Sequence, residues 1–261
     1  MKTRANALIA AGIFCAFLAA GCSSMTPGNL ARIQPASDQP YAGNVYLLRG
    51  FIGIWSYGIN DIAKKVAASG VRASVYQEDQ WGEVCSAIIR HYKDNPSHEP
   101  LIVIGHSYGA DDALKMARKL KEHNITIDLV ITLDPVTPPK VPTNIGLCYN
   151  IYQPGLLDML PFFRGVKLEA EDPRNLQNVN IRGERRDLLE PGTDHFNIEK
   201  NRLIHEEIVK KVKEFCPSRA QWVAAHQPQN LTAAAKAPAG VQTLSNVSAS
   251  ASGNSRPQPT E

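Results

Sequence analysis

The stretch Pro100-Leu101-Ile102-Val103-Ile104-Gly105-His106-Ser107-Tyr108-Gly109-Ala110-Asp111-Asp112-Ala113-Leu114 decides how the rest of this 261-residue chain is read. Leu101 to Ile104 are large aliphatics, mostly β-branched, bounded by a proline and a glycine. Such a run predicts a strand buried on both faces, as in a parallel sheet. Ala110, Ala113, Leu114 and Ala117 then recur at helical spacing, and small residues let that helix lie close to the strand it has just left. Ser107 falls at the tip of the bend between the two.

Outward from this unit the same alternation continues. Upstream, Val45-Tyr46-Leu47-Leu48 reads as the first strand and runs into Arg49-Gly50-Phe51. Ile59, Ile62, Val66 and Ser69 outline a helix that Gly70 caps, Val71 to Tyr76 is a second strand, and Val84, Ile88 and Tyr92 mark a helix that Pro96 prevents from continuing. Downstream, Ile127 to Leu133 is a buried strand ending at Asp134-Pro135, and Leu147 to Tyr152 is the next. The order β-α-β-α-β-α-β specifies an α/β fold, a mostly parallel sheet flanked by helices, whose binding site lies at the carboxyl ends of the strands. Pro135, Pro138, Pro139 and Pro142 exclude a helix of any length between Asp134 and Asn144 and leave no room for a cap domain. Val166 to Ile181 reads as a polar edge hairpin or strand pair around Asp172-Pro173, and Ile198, Ile204, Ile208, Val212 and Phe215 outline a closing amphipathic helix.

Gly105-His106-Ser107-Tyr108-Gly109, set between a strand and a helix, resembles the nucleophile elbow of the α/β-hydrolase superfamily. In that motif the serine takes a strained backbone conformation that exposes its hydroxyl, and the flanking glycines remove the Cβ atoms that would block a tight crossing. The resemblance covers roughly Val45 to Phe215. It implies a Ser-acid-His order along the chain, with Ser107 as nucleophile, Asp134 as acid and His195, on the loop before the last helix, as base. Asp158, in the apolar run Leu156 to Phe163, competes for the acid's place, because the superfamily more often carries its acid after that later strand. Asp134 is preferred because Leu133-Asp134-Pro135 resembles lipases that carry the acid one strand early. The resemblance also implies an oxyanion hole from the backbone N–H groups of Tyr108 and Phe51. In its loop Arg49 stands where histidine is commoner. His106 is expected to pack beneath the elbow. Asp111 and Asp112 are expected to favour the positive end of the helix dipole, not a metal. No His/Cys/Asp cluster has metal-ligand spacing, and no cofactor is implied.

The N-terminus has a basic start at Lys2 and Arg4 and an apolar run, Ala7 to Ala20, too short for a comfortable membrane span. Residues 1–21 therefore read as a targeting segment. Leu18-Ala19-Ala20-Gly21-Cys22 resembles a bacterial lipoprotein signal cut before Cys22, whose thiol is then lipidated; an ordinary secretory signal is the alternative. Ser23, in place of aspartate after the cysteine, implies the outer membrane, with the domain facing the periplasm. Residues 22–43, with prolines at 27, 35 and 40, read as a tether, 44–217 as the domain, and 218–261 as a disordered tail with a helical turn around Trp222. The formal charge of +3 falls to +1 once Lys2 and Arg4 are removed, which gives no footprint for a nucleic-acid partner. Cys85, Cys148 and Cys216 leave either one disulfide and a thiol, or three buried thiols.

The functional expectation is a serine hydrolase cleaving carboxylic esters, lipid or small acyl esters, through an acyl-enzyme. Two alternatives use the same chain: a thioesterase of the same fold, and a non-catalytic outer-membrane binding lipoprotein. A complete set of Ser107, Asp134 and His195 argues against the last, because a binding module has no need of all three.

Overall fold

The computed structural model describes residues 28–50, 56–95, 97–154 and 165–226. Among them six strands form one sheet: β1 (Asn44–Leu48), β2 (Arg72–Tyr76), β3 (Leu101–His106), β4 (Ile127–Leu133), β5 (Ile145–Tyr152) and β6 (Leu176–Asn180), in the order β2-β1-β3-β4-β5-β6. Every neighbouring pair is parallel. Helix α1 (Gly58–Ala68) joins β1 to β2, α2 (Trp81–Tyr92) joins β2 to β3, and α3 (Tyr108–Lys121) joins β3 to β4. Helices α4 (Arg202–Phe215) and α5 (Arg219–His226) follow the sheet.

The sheet is covered on both faces because its strands present apolar residues at odd and even positions alike. Tyr46, Leu48, Val103 and Val130 point to the layer formed by α2 and α3, with Val84, Ile88, Leu114 and Leu120. Val45, Leu47, Ile102, Ile104, Leu129 and Ile131 point to the opposite layer, where α1 brings Ile59, Ile62 and Val66 and α4 brings Ile204, Ile208 and Val212. Each such aliphatic contributes about 1.5–3 kcal/mol by leaving water. Alanines 110, 113 and 117 on α3 are fully buried, so their small size sets the helix close against the sheet. Gly70, at φ +89°, closes α1 as expected.

Between β4 and β5 the chain has no helix, only the proline-rich loop, as the prolines require. The segment from Val166 to Ile181, expected as a polar edge hairpin or strand pair, supplies one edge strand to the sheet. Residues 166–169 form no strand, and β6 joins β5 as a sixth parallel strand in the register Cys148↔Leu176 to Tyr152↔Asn180. The reason is a side-chain ladder across three strands. Thr132, Asn150 and Asn178 lie in one row; Thr132 Oγ1 donates to Asn150 Oδ1 (2.8 Å), and Asn150 Nδ2 donates to Asn178 Oδ1 (2.8 Å) and to the Val166 carbonyl (3.0 Å). Asn178 also accepts from Leu168 N (2.9 Å) and donates to Leu168 O (3.1 Å). These side chains, with a backbone bond from Val166 N to Pro135 O (3.0 Å), thus hold 166–168 where a hairpin would use strand pairing.

Residues 28–43, expected as a tether, are fastened to the domain. Gly28 N donates to Val75 O (2.8 Å), Ile33 is buried, and Glu99 accepts from Ser37 N (2.8 Å), Ser37 Oγ (2.9 Å) and Gly43 N (2.8 Å). Arg219, at the start of α5, pairs with the same carboxylate. The helical turn expected around Trp222 is α5, and the rest of the tail lies outside the described residues. Cys85, Cys148 and Cys216 are buried free thiols, and burial pushes each up to about 12.

Candidate active site

Ser107 begins where β3 ends and has φ +56° and ψ −124°, outside the regions open to an ordinary L-residue. Two glycines make the bend passable: a Cβ at Gly105 would overlap the Gly109 carbonyl, and one at Gly109 would overlap the Arg49 carbonyl. The strain is held by backbone bonds on both sides. Ser107 N donates to Leu133 O (2.9 Å), while Ser107 O accepts from Ala110 N (3.0 Å) and Asp111 N (3.3 Å). Tyr108, an expected oxyanion donor, is the first residue of α3. Phe51, the other, lies outside the described residues, as do Cys22, Asp158 and the apolar run 156–163. Their neighbour Gly50 is described and lies against the elbow: a Cβ there would come 3.1 Å from Ser107 Cβ. Arg49, buried, donates from Nε (3.0 Å) and Nη2 (2.7 Å) to Asn60 Oδ1, which fastens the start of this loop to the first turn of α1.

The structure brings Ser107, His195 and Asp134 together. Ser107 Oγ is 3.1 Å from His195 Nε2, and His195 Nδ1 is 3.5 Å from Asp134 Oδ2. The three are 7 %, 8 % and 0 % exposed, so the carboxylate is sealed while Ser107 and His195 each keep a small exposure. Asp134 is itself in the left-handed region, φ +44°, and its carboxylate reaches Gln153, the residue after β5. There Oδ1 accepts from Gln153 N (2.8 Å) and Oδ2 from Gln153 Nε2 (3.2 Å). A Cβ at Gly165 would overlap this carboxylate, so the segment held by the asparagine ladder also closes the acid's far side.

The loop carrying His195 is built by short-range polar contacts. Thr193 Oγ1 donates to Glu190 O (2.8 Å), Asp194 Oδ1 accepts from Phe196 N (2.8 Å), and Asn197 Oδ1 accepts from Asp194 N (2.7 Å). Asn201 caps α4 by accepting from Leu203 N and Ile204 N, and its amide donates to Leu188 O (2.8 Å) and Thr193 Oγ1 (3.1 Å). The expected helix start at Ile198 is instead a short 3-10 turn, Ile198–Lys200, before this cap.

Asp111 is more than a helix-start residue. It is buried and accepts from Val136 N (3.0 Å), Thr137 N (2.8 Å) and Thr137 Oγ1 (3.1 Å), tying α3 to the loop that follows Asp134. Burial pushes its carboxyl up to about 6. Asp112 pairs with Lys115 at 2.6 Å. Sequence reasoning missed Gln153, Ser56 and Asn201; only Asn201, an N-cap residue before an apolar run, carried a local signal. Among the described residues no group of His, Cys, Asp and Glu is placed to hold a metal ion.

No family model matches the sequence, and no curated protein matches it. Among solved structures the chain is similar to Est1E from Butyrivibrio proteoclasticus, at 13% identity over 68% of this chain and 89% of that one, with a TM-score of 0.42. It is also similar to a cutinase-like protein from Cryptococcus sp., at 11% identity over 68% of this chain and 96% of that one, TM-score 0.41. A third is the NocB thioesterase domain from the nocardicin cluster, at 13% identity over 69% of this chain and 94% of that one, TM-score 0.42. The parallel strand order of this chain, with the strained serine at the turn from its central strand β3 into α3, makes its architecture an α/β-hydrolase fold.

Proposed function

We propose that this protein is a serine hydrolase that cleaves carboxylic esters through an acyl-enzyme. The observation that carries the reading is the 3.1 Å contact between Ser107 Oγ and His195 Nε2, with the sealed Asp134 carboxylate behind the ring. A serine hydroxyl is almost wholly protonated at neutral pH and needs a base within this distance. In the proposed reaction Ser107 Oγ attacks the ester carbonyl while its proton passes to His195 Nε2. Asp134 holds the proton on Nδ1 and stabilises the imidazolium. The oxyanion would be met by the N–H groups of Tyr108 and Phe51, each donor being worth about 3 kcal/mol. Collapse expels the alcohol, which takes the proton from His195; water, deprotonated by the same histidine, then releases the acid. The 3.5 Å separation of His195 and Asp134 suits a resting site whose bond tightens when the imidazolium forms.

Lipid or small acyl esters are the proposed substrates. The chain's membrane partner is the bilayer into which a lipidated Cys22 would insert, at the outer membrane facing the periplasm; the signal-like run before Cys22 supports this. The test is a panel of aryl esters and thioesters of rising acyl length, run beside labelling with a serine-reactive phosphonate. Wild type should turn over esters and label at Ser107, and Ser107→Ala should do neither. Turnover confined to thioesters would move the reading to a thioesterase. A folded protein that does not label at all would favour the binding lipoprotein.

A further inference from the structure

The residue before the nucleophile makes contacts that the reaction above does not use. His106 is buried, and its two ring nitrogens reach two separate loops. Nε2 is 2.9 Å from the carbonyl oxygen of His195, and Nδ1 is 2.8 Å from Ser56 Oγ. Ser56 Oγ in turn accepts from Gly50 N at 2.9 Å.

Only one arrangement of protons satisfies this chain of contacts. A carbonyl oxygen accepts and never donates, so His106 Nε2 carries the hydrogen. In the neutral ring Nδ1 is then the acceptor, so the Ser56 hydroxyl donates to it. The same hydroxyl oxygen uses a lone pair for the Gly50 N–H. A second proton on His106 would set Nδ1–H against the Ser56 oxygen and leave the Ser56 hydrogen needing another acceptor. Burial, with the neighbouring His195 next in effect, holds His106 down at about 3, which keeps the ring in the neutral form the contacts demand.

We propose that His106 is a positioning residue, which through its Nε2–H and Ser56 fixes the main chain of the base His195 and that of Gly50, at the start of the loop beside the elbow, as one unit. Two further observations support this role. Among the described residues His195 Nδ1 has no partner within hydrogen-bond range, standing 3.5 Å from Asp134 Oδ2, so the tie at the His195 carbonyl adds a fixed main-chain point to a ring that the acid does not yet grip. Gly50 lies close to the elbow, with room for no side chain: a Cβ would come 2.7 Å from Ser56 Oγ and 3.0 Å from the His106 carbonyl. The base and the start of the loop beside the elbow therefore have a common reference, and it is the residue next to the nucleophile.

The inference rests on the hydrolase reading for its kinetic part and on geometry for its spectroscopic part, so the two fail separately. Nitrogen-15 NMR of the wild-type protein should show His106 as the Nε2–H tautomer, unchanged between about pH 5 and pH 8, where an ordinary histidine titrates. His106→Phe keeps the ring shape and removes both contacts. It should lower kcat for esters by roughly 10²-fold, the scale of a displaced catalytic group, with KM little changed and with slower phosphonate labelling of Ser107. His106→Gln, whose amide reaches the place of Nε2–H, should recover most of the loss. Ser56→Ala should lower kcat by roughly tenfold, because it frees only the Gly50 side, a milder displacement. If His106→Phe does not fold, the Gln and Ser56 variants and the NMR measurement still decide. An Nδ1–H tautomer, a His106 that titrates in that range, or folded variants with wild-type kcat and labelling would each overturn the proposal. A wild type that shows the tautomer but never labels would sink the hydrolase reading and leave the positioning geometry standing.

Discussion

Asp134 shows how one atom's hydrogen bond decides the role of another residue. Its Oδ1 is occupied by the Gln153 backbone N–H, so Oδ2 is the oxygen that faces His195. In Asp134→Asn the carbonyl oxygen should keep the Gln153 N–H and turn its amide hydrogens toward Nδ1. The imidazole would then carry its proton on Nε2, where it cannot take one from Ser107. The expected loss is roughly 10⁴ in kcat, read with a soluble aryl ester, while Asp158→Asn should do little. The reverse result would reassign the acid. Glu199, four residues beyond His195, makes a different prediction. It is fully buried, neither carboxylate oxygen has a hydrogen-bond partner in range among the described residues, and burial pushes it up to about 7, against the weaker pull of nearby backbone N–H groups and Lys200. The folded protein therefore keeps a proton that the unfolded chain gives up near its ordinary value of 4.5. Between those two values the folded state binds more protons than the unfolded one. This group's contribution is thus a loss of stability as pH rises through that window, complete above it, on the order of 3 kcal/mol. Glu199→Gln should flatten the fall of Tm with pH across the window, and identical slopes for the two proteins would rule this out.

At the scale of elements, the same residues explain what reads directly from the sequence and what does not. The strands β1, β3 and β4 are legible because burial on both faces demands unbroken aliphatic runs, and Ser107 is legible because only a Gly-x-Ser-x-Gly bend lets α3 cross so near β3. His195 and Asp134 stand out at loop and strand ends only through the resemblance to the α/β-hydrolase superfamily, which supplies the order in which to look for them. Strand β6 is legible only as a polar edge element, not as a sixth parallel strand: its sequence, Leu-Gln-Asn-Val-Asn, is polar, and its pairing is specified with help from Asn150, on another strand 28 residues away. Ser56 and the partners of His106 escape for the same reason, since these contacts join residues 50 and 89 positions apart that no local pattern announces. The asparagine ladder makes a stability prediction. Asn150→Ala would strip the partner from Thr132 Oγ1 and from the Val166 carbonyl at once, while Asn178 Oδ1 keeps its bond from Leu168 N. At about 1–3 kcal/mol for each group left unsatisfied, the loss in chemical denaturation should be roughly 2 kcal/mol or more. It should also lower kcat, because residues 165–168 close the far side of Asp134. A variant that loses stability and keeps full activity would show that this segment does not hold the acid.

Across the whole molecule, the N-terminal segment runs along the domain from one end of the sheet to the other. At the amino end Glu99, just before β3, gathers Ser37, Gly43 and Arg219. At the other end Gly28 is bonded to Val75 and lies against the ring of Tyr76, the last residue of β2. Tyr76, Leu48 and Gly105 share one row of the sheet, and two strand spacings put β2 only about 10 Å from β3, whose end carries Ser107. Cys22 is six residues before Gly28, a reach of at most about 20 Å. A lipid on Cys22 would therefore hold the bilayer near the end of the sheet that carries Ser107, not at its opposite pole. The consequence is measurable with two esters in one experiment. Lipidated full-length protein in vesicles should hydrolyse an ester dissolved in the same bilayer faster than Cys22→Ser protein added from solution, by on the order of 10²-fold, since anchoring replaces encounter with a high local concentration. A water-soluble ester should be cleaved at equal rates by both forms, because the anchor touches no reacting group. A flexible Gly/Ser insertion between Cys22 and Gly28 should reduce the first rate and leave the second alone. Equal rates on the bilayer ester for anchored and unanchored protein would show that the anchor does not present the site to the membrane.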